Sequence, residues 1–176
     1  NSTTSLQPSI NELLSSIRQN RDYLHSQRAL ASESLTSLLT TQAATESLSE
    51  FVAGAWRWID SVQYQSTWSI DALCEHLEAV TRGDIKRLLI NFPPRCGKSN
   101  VASICWPAWT WLQHISEEEA SLRSLTCGPQ VKFLCSSYNY TLGIQLATKS
   151  RRLIQSPWYQ ERWPIKFRDD QNSKQS

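Results

Sequence analysis

Gly97, Lys98 and Ser99 form the end of the pattern G-x-x-x-x-G-K-[ST], in which backbone amides, a lysine and a hydroxyl gather around phosphate. The first glycine of that pattern belongs at position 92, where this chain has Phe92, followed by Pro93 and Pro94. Such a loop works because consecutive N–H groups point into a concavity at the start of a helix, where the helix dipole adds positive potential. The donors that matter come from its back half, here Cys96, Gly97, Lys98 and Ser99, none of them proline. Pro93 and Pro94 lock φ and set the chain direction, so their missing N–H groups fall where donors are least needed. On this reading Lys98 reaches the β- and γ-phosphates of ATP, and the Ser99 hydroxyl ligates Mg²⁺. Asn100 completes the cofactor-binding set. Arg95 places a guanidinium beside the phosphates, suited to charge on a transferring phosphoryl group, and joins Lys98 as a candidate catalytic residue. The competing account is a chance GKS in a surface turn.

A phosphate loop needs a strand before it and a helix after it. "IKRLLINF" (residues 85–92) is a short apolar run of the kind that forms a buried strand. Beyond the GKS, Val101, Ile104, Cys105, Ala108, Trp109 and Leu112 keep helical spacing, with Pro107 expected to kink or break the helix. Upstream, Ile70, Leu73, Leu77 and Val80 share one helical face, and Gly83 is a stop signal. Downstream, residues 117–130 are expected as a solvated loop and "VKFLCSS" (131–137) as a second strand. A helix follows from about Tyr140 to Ile154, with Leu142, Leu146 and Ile154 inward. Strand, loop, helix, strand, helix predicts an α/β fold, a partial P-loop NTPase with a parallel βαβ sheet.

The first residues differ in kind. Residues 1–48 are rich in Ser and Thr, with Ile10, Leu13, Leu14 and Ile17 at helical spacing, and Leu30, Leu35, Leu38 and Leu39 more loosely so. Pro8 and Ser9 are the candidate start. A weakly amphipathic, mobile or partner-dependent helical arm is expected there. The compact domain is expected over 49–176, opened by the tryptophan-rich stretch that begins at Phe51.

The formal charge of +2 argues for no anionic partner, but it is unevenly spread. Residues 1–50 hold three Arg against five acids, whereas seven Lys and Arg face three acids from Gln145 onward. In "KSRRLIQSPWYQERWPIKFR" basic and aromatic residues interleave, as on a surface that tracks DNA. Lys149, Arg151 and Arg152 are the candidate contacts, with Lys149 and Arg152 on one exposed helix face; alternatively the arginines are simply solvated and the aromatics pack the domain. The five cysteines are odd in number and lack metal-ligand spacing, which favours buried free thiols over disulfides or zinc. His25, His76 and His114 have no nucleophile at motif spacing. No apolar run is long enough to span a membrane and no secretion signal opens the chain, so a cytoplasmic protein is expected. With no Met and a polar end at "DDQNSKQS", the chain is expected to be a piece of a longer protein.

These segments, taken in order, resemble the large terminase subunit of tailed bacteriophages, the DNA-packaging motor ATPase. "SEFVAGAWRWID" is similar to the family's opening segment. "DALCEHLEAVTRGDIKRLLINFPPRCGKS" resembles its helix, strand and Pro-Pro-type Walker A loop, which in that family also lacks the first glycine. "FLCSSYNYTLGIQLATKSRRLIQSPWYQERWP" resembles its second strand and the helix after it. The likeness covers about Ser49 to the end. It implies ATP hydrolysis coupled to movement of double-stranded DNA into a capsid, with the portal, a small terminase subunit and ring-forming copies as partners. It also implies adenine contacts from the region of Gln63, Gln65 and Trp68, of which Gln63 is the candidate retained here. An arginine of the basic helix would act on a neighbour's ATP. The chain departs from the pattern at Ser69, where many relatives carry His. It also stops before the family's Walker B acids and nuclease domain, so weak or absent turnover is expected. The alternatives are a non-catalytic interaction module with a vestigial loop, or a helicase-like ATPase of another family.

Overall fold

The computed structural model describes residues 10–113 and 128–166. The chain falls into two compact units, divided between Thr40 and Thr41. The first contains most of a single long helix, α1 (Ile10–Glu46). The sequence predicts two short helical patches there; the structure has one unbroken helix through both. Leu14, Leu30, Leu35 and Leu38 on it are exposed. Several hydroxyls turn back onto their own helix, such as Thr36 Oγ1 donating to Ser32 O at 2.8 Å. The expected start at Pro8 and Ser9 lies outside the described residues.

The second unit is built on α2 (Leu48–Ile59), whose apolar residues recur at i, i+3, i+4, i+7, i+8 and i+11. Leu48, Phe51, Val52, Ala55, Trp56 and Ile59 are all buried. Its first turn is capped from α3 (Trp68–Thr81): Glu78 Oε1 accepts from the Leu48 amide at 2.7 Å, and Asp71 Oδ1 from Ser49 Oγ at 2.8 Å. The last turn of α1 joins this unit. Ala44 is buried, and Thr45 O accepts from the Trp109 indole and the Gln113 amide.

The centre is a helix over residues 98–110, α4. It comprises a turn at Lys98–Asn100, a π-helical stretch Val101–Cys105 and an α-helical end Trp106–Thr110. The expected kink at Pro107 takes this form. The ring nitrogen cannot donate into the ladder, and the widened turn just before it has Trp106 N–H bonded to Val101 O. Val101, Ile104, Cys105, Ala108 and Trp109 are buried as the spacing predicts. α2, α3 and α5 (Tyr140–Ile154) pack around α4. A short α6 (Pro157–Arg162), capped by Ser156, closes the core with Trp158 and Tyr159 against Phe51.

The expected parallel sheet is not there. Every regular element among the described residues is helical, and both segments expected as strands run without regular structure and without a ladder. Leu88 and Ile90 lean on the helical core, but Leu89 is 94% exposed. Val131 and Phe133 lean in likewise, while Leu134 is 97% exposed. The Phe133 ring lies edge-on to Trp106 and Trp111, and the Trp111 indole donates to Val131 O at 2.9 Å. One face of each run is satisfied by helices, and no second strand pairs with its backbone among the described residues. The α/β assignment is therefore corrected to an all-helical unit. Most of the loop expected over 117–130 lies outside the described residues.

Two thiols behave as expected. Cys74 and Cys105 are buried and free, with burial pushing Cys74 up to about 12 and Cys105 higher still. Cys96 and Cys135 are exposed, and Cys127 lies outside the described residues.

Candidate phosphate-binding site

The GKS sits at the first turn of α4, as the pattern requires. Gly97 has φ +76° and Arg95 φ +66°, so two left-handed residues two positions apart curl the chain into the helix. Arg95 is the one non-glycine residue with positive φ among those described, a conformation that costs about 1 kcal/mol or more. Gly97 is needed for a second reason. A Cβ there would lie 2.7 Å from Cη2 of Trp56, whose ring forms the floor of the loop. That ring is held by its indole N–H donating to Val62 O at 2.9 Å and by Tyr64, whose ring centroid lies 5.3 Å away.

Among the described residues, the amides of Gly97, Lys98 and Ser99 have no hydrogen-bond acceptor. They are the unpaired donors that any helix leaves at its start. They border a concavity of about 600 Å³ lined by residues 93–100 on one side and Trp56, Asp60 and Val62 on the other. Arg95 and Lys98 have no carboxylate partner among the described residues. Arg95, Lys98, Gly97 and Ser99 thus line one pocket, bringing two uncommitted cations, three free amides and a hydroxyl to its edge. The donor set suits a polyphosphate, and the hydroxyl suits a hard cation such as Mg²⁺.

Asn100 plays a different part from the one expected. It is buried, and its side-chain amide donates to Asp60 Oδ2 at 2.9 Å. Asp60 follows the last residue of α2, and its Oδ1 accepts from the Val62 amide at 3.1 Å. The Val62 bond holds the Asp60 carboxyl below its ordinary 3.8. Burial opposes this, and the Asn100 bond and the Lys149 charge add to it. Lys149 is half-buried, with Nζ 4.0 Å from Asp60 Oδ2. It therefore faces the loop's support, while Arg152 is exposed in the last turn of α5 and Arg151 is half-buried there. The structure separates the three cations that the sequence grouped.

Gln63 is exposed in a neighbouring concavity of about 440 Å³ that shares Trp56, Asp60 and Val62 with the loop pocket. Trp68, at the start of α3, is exposed and lines a third concavity with Leu89 and Phe92. Two residues of the site escaped the sequence reading. Trp56 carried no signal beyond its apolar spacing. Asp60 carried a faint one, since an acid at a helix C-terminus opposes the dipole and needs a partner.

Comparison of the chain with protein-family models, with curated proteins and with solved structures finds no match.

Proposed function

We propose that this chain binds ATP with Mg²⁺ at the loop of residues 93–100, and that it is the nucleotide-handling part of a DNA-packaging ATPase of the kind it resembles. The supporting observation is that Gly97, Lys98 and Ser99, whose amides have no acceptor among the described residues, line one concavity of about 600 Å³ together with Arg95. That volume lies within the range of small-molecule sites. In this reading the amides and Lys98 bind and orient the β- and γ-phosphates, Ser99 offers a hydroxyl to the metal, and Arg95 faces charge that grows on the transferring group. Bound Mg²⁺ supplies neutralisation of phosphate charge. Gln63, in the adjoining concavity, contacts the base. Arg151 and Arg152 face double-stranded DNA. The work is cytoplasmic, in keeping with the absence, among the described residues, of any helix long and apolar enough to cross a membrane.

Thermal melting with and without ATP and Mg²⁺ tests the binding claim. A rise in Tm that Lys98→Ala abolishes supports it, and no rise with the wild-type chain refutes it. A second reading, an interaction module with a vestigial loop, draws on the apolar groove beside α3, where Trp68 and Leu89 are largely exposed. Indifference to ATP would favour it.

A further inference from the structure

The loop has left-handed turns and unpaired amides, yet no sheet among the described residues fixes its approach. Something else must hold the first turn of α4 against α2. Three side chains from three separate elements meet to do this. Asp60 caps the C-terminus of α2, Asn100 lies in the first turn of α4, and Lys149 belongs to α5. Both oxygens of the Asp60 carboxylate are engaged: Oδ1 by the Val62 amide, Oδ2 by the Asn100 amide and by Lys149. A carboxylate so engaged is poorly placed to ligate a metal and well placed to hold its neighbours. Asp60 and Asn100 both line the loop pocket, so the clamp borders the space where phosphate would sit.

We propose that Asp60 is the positioning residue of the phosphate loop. Through Asn100 it fixes the turn that aims the Gly97, Lys98 and Ser99 amides, and through Lys149 it ties that turn to α5. The inference rests on the nucleotide reading and deepens it. It assigns Lys149 to the support of the site, in place of a contact with DNA. It also gives the loop a physical link to the helix that carries Arg151 and Arg152 in its last turn.

The test is ATP·Mg²⁺ affinity by calorimetry for the wild-type chain, Lys98→Ala, Asp60→Ala, Asn100→Ala and the Asp60→Ala/Asn100→Ala pair. Asp60→Ala and Asn100→Ala are each expected to weaken ATP about tenfold, and the double variant hardly more than either alone, because the two act as one unit. AMP, which lacks the outer phosphates, is expected to lose no more than about twofold. A general loss of structure would not select for the outer phosphates. Asp60→Asn keeps an acceptor for Asn100 while losing the charge opposite Lys149, and its expected loss is smaller than that of Asp60→Ala. Should Asp60→Ala not fold, Asn100→Ala and Asp60→Asn carry the same test. Wild-type affinity in Asp60→Ala or Asn100→Ala, or additive losses in the double variant, would overturn the inference while leaving the nucleotide site standing. If the wild-type chain itself binds no ATP, the nucleotide reading falls and this one with it.

Discussion

The two sides of the GKS are held in opposite ways. Downstream, residues 98–110 form the central helix, with Val101, Ile104 and Cys105 fully buried. Upstream, residues 85–92 run without regular structure, with Leu89 exposed to solvent and no strand among the described residues to pair with their backbone. Both stretches are apolar in sequence. A helix satisfies its own backbone and asks only for a face to bury, whereas a strand also needs a neighbour to take its N–H and C=O groups. α2, α3 and α5 supply the face. No described segment supplies the neighbour. The loop between the two stretches is therefore anchored from its helical side, by Trp56 beneath Gly97 and by the Asp60 clamp.

This asymmetry predicts a graded response to substitution. The largest loss is expected at the core of the anchored side. Ile104→Ala removes a fully buried side chain from α4 and should cost about 2–5 kcal/mol in urea denaturation. A loss below 1 kcal/mol would mean that α4 is not the centre of the fold. Next comes Gly97→Val, which meets both a left-handed φ and the Trp56 ring, and should cost about 2–3 kcal/mol. The same change at Gly83, where φ is +82° but nothing lies near, should cost less. That pair separates backbone strain from the clash.

Smaller effects follow at the margins. Asn139 caps α5, its Oδ1 accepting from the Thr141 amide at 2.8 Å, so Asn139→Ala should cost about 1 kcal/mol. On the unanchored side, Leu89→Ser should move stability by no more than about 0.5 kcal/mol. A larger loss there would show that the upstream run is packed in solution and would erase the contrast. Circular dichroism on the same samples checks that helicity is unchanged.

α3, α4 and α5 were legible because periodicity carries them, whereas α2 showed in the sequence only as a tryptophan-rich opening. The spacing of Ile70, Leu73 and Leu77 gave α3, and that of Val101, Ile104, Cys105 and Ala108 gave α4. The helix expected from Tyr140 to Ile154 has those bounds, although Leu153, which the pattern passed over, is buried more deeply than Leu142 or Leu146. The strands were misjudged for a definite reason. An apolar run such as "IKRLLINF" records a preference for burial and says nothing of whether a pairing partner exists. The loop motif was legible in its glycine, lysine and serine. Its support was not, because Asp60 meets Asn100 across 40 residues and finds Lys149 on yet another helix. Only the folding of α2, α4 and α5 against one another brings them together.

The central claim is that the loop at Gly97, Lys98 and Ser99 takes a nucleoside triphosphate. Calorimetric titration of the wild-type chain with ATP and Mg²⁺, beside Lys98→Ala, tests it most directly. Saturable binding by the wild-type chain and a loss of at least tenfold in affinity in the variant are expected. Equal heats for both, or none for the wild-type chain, would contradict it.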